Sequence, residues 1–189
     1  MKFAVQLINA CPDMFKYDLV WCKTHGTDFM NANRKPLQAH ENILVFTENY
    51  EKMTYNPQKT YSTPYKAQSI KKSNSKGYHI RNKQTYGNTD GSRYPLSYVT
   101  FKKESTSAGY LHPTQKPAPL LEWLIKTYSN EGDTVLDNCC GSGSTCAAAR
   151  RLNRHYIGFE TDEKYYKMAL QNVKDAGQKQ ITMWESEEE

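Results

Sequence analysis

The residues best placed to do chemistry are Asp137-Asn138-Cys139-Cys140-Gly141-Ser142-Gly143-Ser144-Thr145, with Glu160 downstream. An apolar run, Thr134-Val135-Leu136, leads into them, and a helix-forming run, Cys146-Ala147-Ala148-Ala149-Arg150, leads out. A second apolar run, Tyr156-Ile157-Gly158-Phe159, ends on Glu160. Strand, glycine-rich turn, helix, strand and terminal acid is the layout of a nucleotide-type cofactor site. Gly141 and Gly143 let the backbone approach a ligand closely. The helix N-terminus after them offers free N–H groups and a positive dipole end to a carboxylate or phosphate. Glu160 stands about 20 residues past the glycines, where an acid can accept both ribose hydroxyls. The same turn also serves as a plain strand-to-helix connection, so the glycines alone do not choose between the two. Cys146 takes the place of the third glycine of a dinucleotide fingerprint, which argues against NAD or FAD and against a small dinucleotide-dependent oxidoreductase.

The elements that must position these residues are legible around them. Leu120, Leu121, Leu124, Ile125 and Tyr128 recur at helical spacing after Pro117 and Pro119, which suit a first helical turn. Beyond Glu160, Asp162 can cap a helix striped by Tyr165, Tyr166, Ala169, Leu170 and Val173. Gly177 is expected to end that helix, and Ile181-Thr182-Met183-Trp184 to form a short strand. Residues 2–11 read as an amphipathic helix lying under a sheet; the run is too short, and too interrupted by Gln6 and Asn9, for a secretory leader.

The segment His112-Pro113-Thr114-Gln115-Lys116-Pro117, followed by the helix and then the Asp137 turn, resembles the amino-group DNA methyltransferases. In that family an H-P-T-Q-K-P segment and a D-P-F-x-G-S-G-[ST]-T segment stand at this spacing and wrap S-adenosylmethionine. The resemblance extends to residues 1–58. Tyr17-Asp18-Leu19-Val20-Trp21-Cys22-Lys23 is similar to a family sheet strand. Asn31, Asn33, Arg34, His40 and Glu41 lie in segments similar to those leading to the next strand. The resemblance implies a Rossmann-like, S-adenosylmethionine-dependent methyltransferase fold of the α/β class, with an incomplete central sheet and a basic target-recognition insert. It implies cofactor contacts from His112, Thr114, Gln115, Lys116, Pro117, Asp137, Gly141, Ser142, Gly143 and Glu160. Asp137 either orients the turn or bonds the methionine amine; Asn31, Asn33, Arg34, His40 and Glu41 either wall a target-base pocket or pack locally.

The order of blocks is the permuted one of the family's beta group, whose D-P-P-Y catalytic motif lies nearer the N-terminus. This sequence holds no Asp-Pro-Pro or Asn-Pro-Pro. Its nearest string, Ser62-Thr63-Pro64-Tyr65, falls in the polar insert and lacks the first proline. No catalytic residue is therefore assigned. The family flips the target base out of the duplex and lets an acid or amide and a backbone carbonyl accept hydrogen bonds from its exocyclic amine. The expectation is a truncated or split enzyme for adenine-N6 or cytosine-N4 of double-stranded DNA, within restriction–modification. An upstream-encoded catalytic partner or a homodimer would complete it, because two missing strands would leave unpaired edges. The alternative is a catalytically silent DNA-binding relative that acts as a regulator. Two departures weaken the cofactor site: D-P-F is here Asp137-Asn138-Cys139, so the proline that tightens the turn is lost, and so is an aromatic wall worth on the order of a few kcal/mol when fully buried.

Charge divides the 189 residues unevenly. Residues 51–110 carry eleven basic against three acidic side chains, a net +8 that leaves −3 for the rest of a chain whose total is +5. Eight tyrosines accompany them, among them Tyr61, Tyr65, Tyr86 and Tyr94. Basic groups neutralise phosphates and tyrosines stack on bases or bond phosphate oxygens. Lys71, Lys72, Lys76, Arg81, Lys83 and Arg93 are the expected DNA-binding residues. The expected domains are residues 1–50 (first part of the sheet), 51–111 (target-recognition insert), 112–184 (cofactor-binding part) and 185–189 (acidic tail). Five cysteines without metal-ligand spacing make a metal site unlikely by pattern and fit a reducing cytoplasm. No apolar run is long enough to span a membrane.

Overall fold

The computed structural model describes residues 2–69, 85–102 and 115–185. In chain order its elements are α1 (Lys2–Ala10), β1 (Phe15–Thr27), β2 (Gln38–Phe46), β3 (Thr60–Tyr61), β4 (Tyr65–Ser69), β5 (Thr85–Asn88), β6 (Ser92–Arg93), β7 (Tyr98–Thr100), α2 (Ala118–Tyr128), β8 (Thr134–Asp137), α3 (Ser144–Arg151), β9 (His155–Gly158) and α4 (Glu163–Glu185). They fall into two compact units, Met1–Asn56 with Ser97–Glu189, and Pro57–Leu96.

The first unit holds two sheets that share no strand ladder among the described residues, ordered β2-β1-β7 and β8-β9. β1 is long because its aromatic and β-branched residues favour a pleated surface. It pairs antiparallel with β2, Leu19 opposite Ile43 and Trp21 opposite Glu41, and parallel with β7, Trp21 opposite Val99. Alternate side chains share a face, so Leu19 and Trp21 are both buried while their neighbour Val20 points to the other side. The Trp21 indole N–H donates to the Phe101 carbonyl at 3.0 Å, so its polar edge is satisfied.

The core of the other half is built around α3. Ala147, Ala148 and Ala149 are at most 1 % exposed. Cys146 and Ala147 pack on Val173 and Ala176 of α4, and Ala148 and Ala149 pack on Ile125 and Leu121 of α2. Gly143, at φ 77°, caps α3 in the left-handed region; a Cβ there would lie 2.8 Å from both Cα and Cβ of Ala169. That glycine is needed for helix packing as much as for turning. β8 and β9 run parallel in register from Thr134–His155 to Asp137–Gly158. Their face away from α3 is open, with Leu136 60 %, Ile157 48 % and Phe159 59 % exposed.

α2 is anchored at both ends. Pro117 is buried ahead of its first turn, and its C-terminal carbonyls are taken up by Asn56. The Asn56 backbone N–H donates to the Thr127 carbonyl at 2.8 Å, and its side-chain amide donates to Ser129 at 3.1 Å. Tyr17 of β1 meets Tyr128 of α2 hydroxyl to hydroxyl at 3.1 Å.

Three sequence expectations change. α4 passes through Gly177 to Glu185, so Ile181–Trp184 is helix and not strand. A glycine inside a helix costs only about 1 kcal/mol, so it does not by itself terminate one; here the Arg150 guanidinium packs over Gly177. α1 forms, but none of its residues is buried and Phe3 is 71 % exposed, so it does not pack under a sheet here. Residues 186–189 of the acidic tail lie outside the described residues.

Gly143→Ala should therefore lower unfolding stability by about 2–4 kcal/mol, combining left-handed strain with overpacking against Ala169. Urea denaturation checks this; a loss under about 0.5 kcal/mol would mean that α3 and α4 can separate at little cost.

Candidate functional site

The carboxyl end of β8 opens onto a cavity of about 230 Å3. It is walled by Gln115, Lys116, Leu121, Asp137, Cys139, Cys140, Gly141, Ser142, Ser144 and Thr145. Five of the ten residues expected to hold a cofactor are thus brought together: Gln115, Lys116, Asp137, Gly141 and Ser142. The volume is below the roughly 300–1,000 Å3 of most small-molecule sites, room for only part of a ligand of that size.

The turn is held by its own polar groups. Asp137 Oδ1 accepts the Cys139 N–H at 3.1 Å. Ser142 is 2 % exposed; its hydroxyl donates to Gln115 Oε1 at 3.3 Å, and its carbonyl accepts the Asn172 amide of α4 at 3.2 Å. One buried serine thereby fixes the 115–117 segment and α4 to the glycine turn. Gly141 has φ 53°, a conformation that favours glycine. Gly143 sits against Ala169 and Pro117 is buried, so neither lines the cavity. Glu160 also stands outside the lining. Its Oε1 accepts the N–H groups of Asp162 at 2.9 Å and Thr161 at 2.8 Å, and these bonds hold its carboxyl below the ordinary range. His112 and Thr114 lie outside the described residues.

Two thiols back the site. Burial pushes the Cys146 thiol up to about 11, with Cys140 and Asp137 nearby adding to it. Burial raises Cys140 as well, and Asp137 and Glu160 reinforce the shift. Both are protonated at neutral pH, so neither is a ready nucleophile. A Cβ at Gly158 would lie 2.8 Å from the Cys146 sulfur and 3.1 Å from that of Cys140, so this glycine gives the thiols their space.

Lys116 does not stand alone. Its ammonium lies 3.0 Å from Glu41 Oε2, and Lys23 lies 2.7 Å from Glu41 Oε1. Both ammoniums stand over the Trp21 ring, at 5.9 and 5.5 Å. Burial alone would raise the Glu41 carboxyl, but hydrogen bonds from Lys23 and Lys116 outweigh it and hold the carboxyl below the ordinary glutamate range. Glu41 thus belongs to a charge cluster beside the cavity. Asn31 bonds Asp28 at 2.7 Å, a local contact. Ser144, Thr145 and Leu121 were not singled out as site residues by sequence, although the first two stand inside the glycine motif and Leu121 lies in the first turns after Pro117.

The second unit is a set of short antiparallel pairs, β3 with β6 and β4 with β5. Arg93 is described there. Its guanidinium donates to the Thr63 carbonyl at 2.8 Å and the Ser92 carbonyl at 3.0 Å, and stands 4.9 Å over the Tyr65 ring. Lys59 stands 4.4 Å over the Tyr94 ring. Tyr61, Tyr65 and Tyr94 are 50–76 % exposed, so the basic groups and aromatic faces are presented together. Lys71, Lys72, Lys76, Arg81 and Lys83 lie outside the described residues.

A family model described as DNA methylase matches residues 3–171. The chain belongs to this DNA methylase family. Type II methyltransferase M.HpaI of Haemophilus parainfluenzae is 29 % identical over 167 residues, which cover 85 % of this chain and 46 % of that protein. Type II methyltransferase M.BglII of Bacillus subtilis is 29 % identical over 155 residues, 81 % of this chain and 40 % of that protein. The chain thus spans less than half the length of these two curated relatives. Among solved structures, an M1.HpyAVI–SAM complex superposes with a TM-score of 0.60 at 24 % identity, covering 91 % of this chain and 70 % of that one. That likeness shows the fold: the Rossmann-like α/β fold of the S-adenosylmethionine-dependent methyltransferases.

The charge cluster gives a pH prediction. Because the folded-state carboxyl of Glu41 is depressed, its contribution to stability is fully present above the unfolded glutamate range of about 4.3 and is lost as pH falls through the lower folded value. Unfolding stability measured from pH 6 to pH 3 should therefore fall less steeply in Glu41→Gln than in the parent chain. Parallel curves would show that the cluster contributes nothing to acid stability.

Proposed function

We propose that this chain supplies the cofactor-binding and target-recognition parts of a site-specific DNA methyltransferase. The reaction moves a methyl group from S-adenosylmethionine to N6 of adenine or N4 of cytosine in double-stranded DNA. The observation that carries this reading is the cavity at the end of β8, which sets an acid, Asp137, and a base, Lys116, around a glycine turn, in a chain of the DNA methylase family.

The residues present fit the cofactor. Its amino-acid end carries an ammonium and a carboxylate, and the cavity wall offers one group of each opposite sign. Asp137 would take the ammonium; Lys116 and Gln115 would take the carboxylate. Gly141 supplies backbone at close range, while Ser142, Gly143 and Pro117 hold the walls in place. Glu160, ionised and anchored by two N–H groups, is the acid for the ribose hydroxyls. His112 and Thr114 complete the segment by resemblance. S-adenosylmethionine supplies the methyl group, carried on a sulfonium. The chain's own contribution is to bind and orient it and to exclude water, the positioning term of catalysis.

The amine acceptor must come from a segment of the D-P-P-Y kind, which this sequence does not contain. Among the described residues the sheets are separate, β2 and β8 each have an unpaired edge, and β8-β9 has an apolar outer face, which supports completion by added strands. Polypeptide that carries such a segment would supply them. Tyr65 is not that acceptor in this reading, since its ring carries Arg93 in the second unit. The second unit, with Lys59, Arg93 and the lysines and arginine of residues 71–83, is the DNA-contacting part. Such an enzyme works in the cytoplasm, where bacterial DNA is modified.

The test is transfer of a labelled methyl group from S-adenosylmethionine to unmethylated genomic DNA. Incorporation is expected when residues 1–189 are combined with a polypeptide that carries a D-P-P-Y-type segment, and not from residues 1–189 alone. Absence of transfer in the combination, with both chains folded, would overturn the proposal. Binding of the chain to double-stranded DNA should weaken about 10³-fold or more between 50 and 200 mM salt if some six phosphates are neutralised; a flat salt dependence would remove the insert from the interface.

A further inference from the structure

We propose that Glu41 is a positioning residue: it holds Lys116 at the cavity rim, so that this ammonium meets the carboxylate at the amino-acid end of the cofactor. The inference rests on the cofactor reading above and adds a residue that does not line the cavity.

The backbone register creates the arrangement. Trp21 of β1 stands directly opposite Glu41 of β2, and Lys23 follows two residues later on the same face. The Lys23 side chain is only 7 % exposed, so its charge needs a fixed partner, and Glu41 Oε1 at 2.7 Å is that partner. With one oxygen committed, the carboxylate presents its other oxygen to Lys116 at 3.0 Å. The Trp21 ring, 1 % exposed, forms a rigid floor beneath both ammoniums. Lys23 thus aims Glu41, and Glu41 aims Lys116.

Charge explains why the cluster suits a ligand. Two lysines share one carboxylate, which leaves one positive charge over. Lys23 is buried, whereas Lys116 is 44 % exposed and forms part of the cavity wall. The excess charge is therefore available on the cavity side, where Asp137 provides the opposite sign. A lysine in solvent would lose rotamer entropy on binding an anion. Lys116, already held by Glu41 over an indole, has lost much of it beforehand.

The experiment is calorimetric binding of two ligands to the full chain. S-adenosylhomocysteine has the amino-acid end; 5′-methylthioadenosine keeps the nucleoside and thioether but lacks that end. Glu41→Gln should weaken S-adenosylhomocysteine about tenfold, the scale of one charge-assisted hydrogen bond, and leave methylthioadenosine within about twofold. Lys116→Met should do the same, and the double variant should lose no more than either single one. The paired change of Glu41→Gln with Lys23→Met removes the stranded buried ammonium, so the comparison survives if Glu41→Gln alone unfolds. Equal weakening of both ligands, no weakening, or losses that multiply in the Glu41→Gln/Lys116→Met variant would overturn the role of Glu41. A parent chain that binds methylthioadenosine but prefers it to S-adenosylhomocysteine would also overturn it, with the nucleoside site intact. A parent chain that binds neither would remove the cofactor reading, and this inference with it.

Discussion

The site depends on how closely α3 can be approached. Its middle consists of Ala147, Ala148 and Ala149, none more than 1 % exposed, pressed between α2 and α4. Dense interiors tolerate little extra volume. Gly143 against Ala169 and Gly158 against the two thiols are places where even one methyl group is crowded. With the helices at this distance, Asn172 of α4 reaches the Ser142 carbonyl and Ser142 reaches Gln115. The cavity walls are therefore set by packing behind them. The alanine run is a weak hydrophobic element by area, yet it fixes the turn that carries Asp137.

The two sheets of the first unit are not joined by strand hydrogen bonds among the described residues, so side chains must relate them. Three links do so. Asn56 closes the end of α2, Tyr17 meets Tyr128, and Glu41 joins β2 to the segment ahead of α2 through Lys116. The first two are hydrogen bonds around a tyrosine cluster in which burial and the neighbouring Tyr17 hold the Tyr128 hydroxyl firmly protonated. The third involves charge, and it is the one that ends at the cavity. A cofactor carboxylate on Lys116 would thereby be felt at β2, two elements away from the glycine turn.

Much of this was legible in the sequence, and for local reasons. A strand ending in Asp137, a glycine turn, an alanine helix and a second strand before Glu160 follow one another within a short span, so spacing alone defines β8, α3 and β9. Asp162 caps α4 as its residue type suggests, accepting the Tyr165 N–H at 3.1 Å. What was not legible depends on partners distant in sequence. Gly177 reads as a stop, but a single glycine costs a helix only about 1 kcal/mol and α4 runs on through it. Glu41 offered two readings, because nothing local says that its neighbour across the ladder is Trp21. The apolar stripe of α1 promised a buried face, and amphipathicity cannot say what covers such a face or whether anything does. Glu160 was legible as an acid after a strand, but not as one already bonded to two backbone N–H groups.

Under the proposed function, the cavity end of β8 is where an added strand would matter most. In open α/β sheets, ligands sit outside the carboxyl ends of the strands, at the point where strand order reverses. Asp137 closes β8 at such an end, and among the described residues β9 alone pairs with β8, along one edge. A strand added parallel to β8 on the free edge would bring its own carboxyl end to the same cavity. Whatever residues it carried there would face the cavity that Asp137, Gln115 and Lys116 line. Burying the exposed Leu136, Ile157 and Phe159 faces would contribute roughly 1.5–3 kcal/mol for each side chain fully covered. Backbone pairing along β8 would set the register of the added strand. The exposed apolar face and the free edge of β8 therefore lie on the same two strands as the cavity, so under the proposed function completion of the sheet and completion of the chemistry would go together.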